Sequence, residues 1–174
     1  PTPSHDINDS DLSDKIQTNR MVHGFDVHYA AKTNPSSTVV FYLHGGGYMA
    51  GALKLHYEFI NKLIEDLNVQ VVIPDYPLAP TYTYNDTYAF IEKAYSQMLQ
   101  VYDNHDIVFM GDSAGAGLAL GYYLRLKNER KPLPKKMILI SPCLDSSLEN
   151  PDIYKYLCKE PMLKDFSGLL RMGR

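Results

Sequence analysis

From Thr38 onward the chain alternates short, uniformly apolar runs with longer stretches of helical spacing. The runs Thr38–Leu43, Val69–Pro74, Ile107–Met110 and Lys136–Ile140 carry no polar residue on every second position, so they read as strands buried on both faces. Between them, Phe59, Ile60, Leu63, Ile64 and Leu67 fall at helical spacing, as do Tyr88, Ile91, Tyr95, Leu99 and Tyr102. Asn85 or Asp86 is placed to cap the second of these helices, and Leu118–Asn128 reads as a third. Such alternation specifies an α/β fold of three layers, a mostly parallel sheet with helices on both faces. In that architecture the site lies beyond the carboxyl ends of the strands.

Ahead of this core, residues 1–20 read as a loose polar arm with a short helix around Leu12 and Ile16. Met21–Ala31 reads as two short strands about Gly24. Residues 21–174 then form the domain. With 174 residues, 45% of them hydrophobic and 21% charged, one domain with a true core is expected. A net charge of −3 offers no basic field for a phosphate backbone, which argues against nucleic acid as a partner. No apolar run approaches the ~20 residues that span a bilayer, and the polar N-terminal stretch lacks the apolar segment of a signal peptide. A cytoplasmic location is the expectation, with self-association left open. Cys143 and Cys158 read as free thiols in a reducing compartment.

Two motifs sit where chemistry is expected. Gly111-Asp112-Ser113-Ala114-Gly115 follows the third run and precedes a helix starting near Gly117. A strand–turn–helix elbow of this kind holds a serine in a strained turn with Oγ exposed, close to the positive end of a helix. Ser113 is therefore the candidate nucleophile. His44-Gly45-Gly46-Gly47-Tyr48 follows the first run, and its glycines can turn backbone N–H groups toward an open space. A dinucleotide loop is a competing reading of Gly45, Gly47 and Ala50 with Asp75, but it leaves the serine elbow unexplained. His56 and His105 read as surface or helix-end residues. No cofactor and no metal are expected.

In chain order the motifs HGGGY, DYPLAP, GDSAG and SPCLD resemble the hormone-sensitive-lipase-like branch of the α/β hydrolases, over about Met21 to Asp145. The resemblance implies a carboxylic-ester hydrolase acting on short-chain esters through an acyl-enzyme at Ser113. It places the oxyanion hole at the N–H groups of Gly46, Gly47 and Ala114. His44, Gly45, Gly111, Asp112 and Gly115 become supporting residues of the two loops, and residues 1–20 a reduced cap segment. Pro77 and Thr81 depart from the family's usual arginine and glutamate. This fold orders its triad as serine, acid, histidine, yet His5, His23, His28, His44, His56 and His105 all precede Ser113. Asp145, Asp152 and Asp165 follow it, and none matches the family's acid. The expectation is a domain lacking its C-terminal strands and impaired by itself. A non-catalytic protein binding a small ligand on the same scaffold is the alternative.

Overall fold

A computed structural model describes residues 16–22, 24–145, 149–152 and 155. It divides the chain into two compact units, residues 1–142 and 143–174. The first holds a six-stranded sheet: β1 (Ile16–Val22), β2 (Phe25–Ala31), β3 (Val39–Leu43), β4 (Gln70–Pro74), β5 (Ile107–Asp112) and β6 (Lys136–Ile140). Three helices connect them: α1 (Lys54–Leu67), α2 (Tyr84–Met98) and α3 (Ser113–Asn128). The strand order is β1-β2-β4-β3-β5-β6. β1 and β2 join antiparallel, and the four strands from β4 to β6 are parallel.

The pleat of β3 explains the three layers. All five of its residues are buried. Val39, Phe41 and Leu43 face one core with Phe90, Ile91 and Tyr95 of α2 and Leu118, Ala119 and Tyr122 of α3. Val40 and Tyr42 face the other with Tyr57, Ile60 and Ile64 of α1. Alternate side chains leave a strand on opposite faces, so a strand covered on both must be apolar throughout.

Several boundaries differ from the sequence reading. Residues 16–20 are not arm or helix but half of a hairpin, β1, which turns into β2 near Gly24 at φ +82°. α2 is capped by Thr83 rather than Asn85 or Asp86. Asp86 is its third residue and accepts the Thr83 N–H at 2.8 Å, completing a capping box. α3 begins at Ser113 itself, ahead of the expected Gly117 and Leu118. β6 is a strand but not a buried one. Ile138 and Ile140 are 45% and 39% exposed, while Met137 and Leu139 pack on the core. Among the described residues it is the edge of the sheet, and α3 packs on one of its faces while neither α1 nor α2 packs substantially on the other.

In the second unit Asp152 pairs with Lys155 in an exposed turn, and Asp145 is exposed. Cys143 is a free thiol. Cys158 and Asp165 lie outside the described residues, as does the stretch around Leu12. Among the described residues no helix is long and apolar enough to cross a membrane.

Candidate active site

The chain runs from β3 to β4 on one side of the sheet, then returns past β3 to place β5 on the other. That reversal opens a crevice beyond the carboxyl ends of β3 and β5, the place where ligands bind in open α/β sheets. The glycine loop leaves β3 there and Ser113 leaves β5 there.

Ser113 is the first residue of α3 and takes φ +49°, a left-handed conformation that costs a residue with a side chain about 1 kcal/mol or more. Such strain persists only where the surroundings enforce it. Here they do. A methyl group at Gly115 would stand 2.0 Å from the Leu43 carbonyl oxygen and 2.4 Å from that of His44, and one at Gly111 would stand 2.7 Å from Leu43 O. The start of α3 therefore lies directly against the end of β3. Ala114, in the first turn of α3, has an N–H with no partner inside the helix.

The glycine loop is equally constrained. Gly46, Gly47 and Tyr48 take φ +134°, +61° and +63° in succession. Ala50 N–H closes the turn on Gly46 O at 2.9 Å. Among the described residues the N–H groups of Gly46 and Gly47 have no hydrogen-bond acceptor.

Asp112 ties the two motifs together. Its Oδ1 accepts the Gly45 N–H at 2.9 Å and the Tyr42 hydroxyl at 2.7 Å, and its Oδ2 lies 3.4 Å from His56 Nε2. Burial raises the carboxyl pKa. The contacts from His56, Tyr42 and Gly45 outweigh burial and hold it below the ordinary carboxylate value. Although Asp112 occupies the N-cap position of α3, its side chain makes no cap bond, because these partners engage it. A side chain at Gly45 would collide with Asp112 Oδ2 at 2.2 Å.

His44 is 1% exposed, and its Nδ1–H donates to Gly45 O at 2.7 Å. Its ring stacks on Tyr76 at 4.4 Å, and the Tyr76 hydroxyl donates to His44 O at 2.6 Å. Burial pushes the imidazole pKa down, against smaller raising effects of the Gly45 bond and of Asp75. Unfolded, His44 takes up a proton near its ordinary value of about 6.5; folded, it does so only at lower pH. The unfolded chain then binds more protons, so stability falls as pH drops below about 6.5, by at most about 1.4 kcal/mol per pH unit. Denaturant titrations are expected to show lower stability at pH 5 than at pH 7.5. His44→Asn, which retains a donor toward Gly45 O, is expected to remove most of that difference.

His28 and His56 are engaged as well. His28 Nε2 meets Asp75 Oδ2 at 3.0 Å, so Asp75 is not the open ribose acceptor that a dinucleotide reading needs. Asp26, His28 and Asp75 have ligand atoms within 4.8 Å of one another, a grouping able to hold a metal ion that the sequence spacing did not reveal. His105 precedes β5, at the end of the strand opposite Ser113. An apolar cleft of about 250 Å³ between β2, β4 and α2, lined by Tyr29, Met98 and Tyr102 among others, shares no residue with the serine elbow or the glycine loop.

A family model described as the alpha/beta hydrolase fold matches residues 40–170. The chain is an α/β hydrolase of the hormone-sensitive-lipase-like branch. Among its relatives is an esterase of Acinetobacter venetianus, 37% identical over 124 residues, 70% of this chain and 41% of that protein. Another is the ethyl acetate hydrolase of Pseudomonas putida, 28% identical over 70% of this chain and 40% of that one. Among solved structures, an esterase of the bacterial hormone-sensitive lipase family superposes with a TM-score of 0.82 at 25% identity, over 92% of this chain and 54% of that one. A proposed esterase from Staphylococcus aureus gives 0.83 at 27% identity, over 91% and 55%. The chain thus spans about two fifths of the length of the curated relatives cited and just over half that of the two structures.

Proposed function

We propose that this chain belongs to a carboxylic-ester hydrolase whose nucleophile is Ser113, acting on small esters through an acyl-enzyme. The observation that carries the reading is the left-handed Ser113 at the strand-to-helix junction, wedged against the strand that delivers the glycine loop. A serine held this way presents Oγ to the crevice. As Oγ attacks an ester carbonyl, the carbonyl oxygen becomes an oxyanion and the alcohol leaves, taking a proton. The N–H groups of Gly46, Gly47 and Ala114 are the donors assigned to that oxyanion. Relatives named as an esterase and an ethyl acetate hydrolase support the substrate class.

A base must lie within about 2.6–3.2 Å of Oγ to activate it. Among the described residues each nearby imidazole is engaged elsewhere: His44 on Gly45 O, His56 with Leu53 and Asp112, His28 with Asp75. The 174-residue chain assayed alone is therefore expected to turn over slowly, around the ~10³-fold over water that triad deletions retain. p-Nitrophenolate leaves without needing a proton, so acylation suffers less from the missing base than deacylation, which must activate water, and the acyl-enzyme should accumulate. The test incubates the chain and its Ser113→Ala variant with p-nitrophenyl butyrate, following p-nitrophenol release and intact mass. Expected is one butyryl group on Ser113 in the parent and none in the variant. Equal release from both, with no adduct at Ser113, would overturn the assignment.

A further inference from the structure

His56 holds a place that the nucleophile and the oxyanion loop do not themselves account for. It is the third residue of α1, whose N-cap, Leu53, has no side chain able to cap a helix. His56 Nδ1 accepts the Leu53 N–H at 2.8 Å. A ring nitrogen that accepts carries no proton, so in the neutral ring the proton sits on Nε2. That atom faces Asp112 Oδ2 at 3.4 Å, from a side chain only 11% exposed. Its surroundings are the rings of Tyr42 at 6.4 Å, on β3, and His44 at 5.9 Å, at the end of β3. Polar links thus run from the α1 backbone through His56 to Asp112, and from the other oxygen of Asp112 to Gly45. The start of α1, the glycine loop and the serine elbow meet at one carboxylate beside Ser113.

We propose that His56 is a positioning residue of the serine site, which orients the Asp112 carboxylate and through it holds Gly45 and the following glycine loop against the elbow. The consequence for catalysis rests on the reading of Ser113 as nucleophile; the positioning itself does not. Asp112 Oδ1 already serves two donors. With Oδ2 engaged as well, rotation of the carboxylate is restrained, and the Gly45 N–H keeps a fixed acceptor. A purely structural His56 would need only its bond to Leu53. Asp86 makes that same bond at the corresponding position of α2, so a short acceptor suffices for it.

This contrast supplies the experiment. His56→Asn keeps an acceptor for Leu53 but lacks the outer half of the ring that reaches Asp112. His56→Gln is long enough to donate to Asp112 from its amide. The readouts on the 174-residue chain are melting temperature, amide exchange of Gly45 by NMR, and the titration of the Asp112 carboxyl. His56→Asn is expected to melt with the parent, to exchange the Gly45 N–H about tenfold faster, and to titrate Asp112 at higher pH. His56→Gln is expected to restore both. Unchanged Gly45 exchange and Asp112 titration in His56→Asn would overturn the proposal. Should that variant not fold, His56→Glu retains the capping box and cannot donate to Asp112. Its Gly45 exchange is then decisive in the same two directions. Butyrylation of Ser113 should be slower in His56→Asn than in the parent and recover in His56→Gln. A parent-like acylation rate in a variant with a loosened Gly45 would confine His56 to a structural role and refute positioning. Absence of any adduct in the parent would instead count against the serine reading, and the Gly45 result would still decide the role of His56.

Discussion

Gly115→Ala is expected to leave little or no folded protein. The new methyl would overlap the carbonyl oxygens of Leu43 and His44 at 2.0 and 2.4 Å, and both are backbone atoms. Neither can move aside cheaply. Leu43 ends the central strand, is itself 1% exposed, and pairs in register with Gly111 of β5. Retreat of α3 would instead open the interface that buries Leu118, Ala119 and Tyr122. Forced displacement of this kind belongs to the exceptional class above about 4 kcal/mol, against a total stability of about 5–15 kcal/mol. A melting temperature lower by about 10–15 °C or more is expected where any transition survives. Gly51→Ala is the control, because a methyl there meets nothing within 4 Å and should shift stability by no more than about 0.5 kcal/mol. Equal melting of the two variants would refute the close approach of α3 to β3.

Phe109→Ala should cost about 3–5 kcal/mol in a urea titration. Phe109 is 1% exposed in the middle of β5, the strand that delivers Ser113. Its ring lies 5.0 Å from Tyr95 edge-on, 5.6 Å from Phe41 and 6.0 Å from Tyr122. These partners come from α2, β3 and α3, so no single element can slide in to fill the space. The rings of Tyr95 and Tyr122 are also braced edge-on against each other at 5.8 Å, which opposes collapse into the cavity. A loss below about 1 kcal/mol would mean that this cluster is not packed as described.

The elements that were legible in the sequence are those whose signal is local. β3 and, after Gln70, β4 are buried on both faces and so are written in unbroken apolar residues. The elbow is written in two glycines whose need is steric. What escaped was decided at a distance. The exposure of β6 depends on what lies beside it, and Met137-Ile138-Leu139-Ile140 reads the same at an edge as in a centre. β1 owes its strand to pairing with β2, while its own residues, Ile16–Val22, are mostly polar and look like an arm. Thr83 is a weaker cap former by type than Asn85 and Asp86, so residue type alone misplaces the α2 cap. His56 reads as a helix-end residue, and a helix-end residue it is. Its partner Asp112 stands far along the chain at the end of β5, and the useful signal, an acceptor three residues after an uncappable Leu53, is weak by itself. The triplet of Asp26, His28 and Asp75 was hidden for the same reason, since β2 and β4 come together only in the folded sheet.

The placing of β3 between β4 and β5 also sets an order of events during synthesis. Val39 pairs with Gln70 on one side and with Ile107 on the other, so the second partner is made 68 residues (107 − 39) after the first strand begins. At ribosomal rates of about 5–20 residues per second, that interval is roughly 3–14 s. Throughout it, one edge of Val39-Val40-Phe41-Tyr42-Leu43 has no strand to pair with, and the part of its face that α3 will cover is bare. The nascent chain therefore carries its stickiest segment unprotected for longer than most hairpins or helices take to form. Chaperones that hold extended apolar peptides have their natural window on this protein between the emergence of β3 and that of β5.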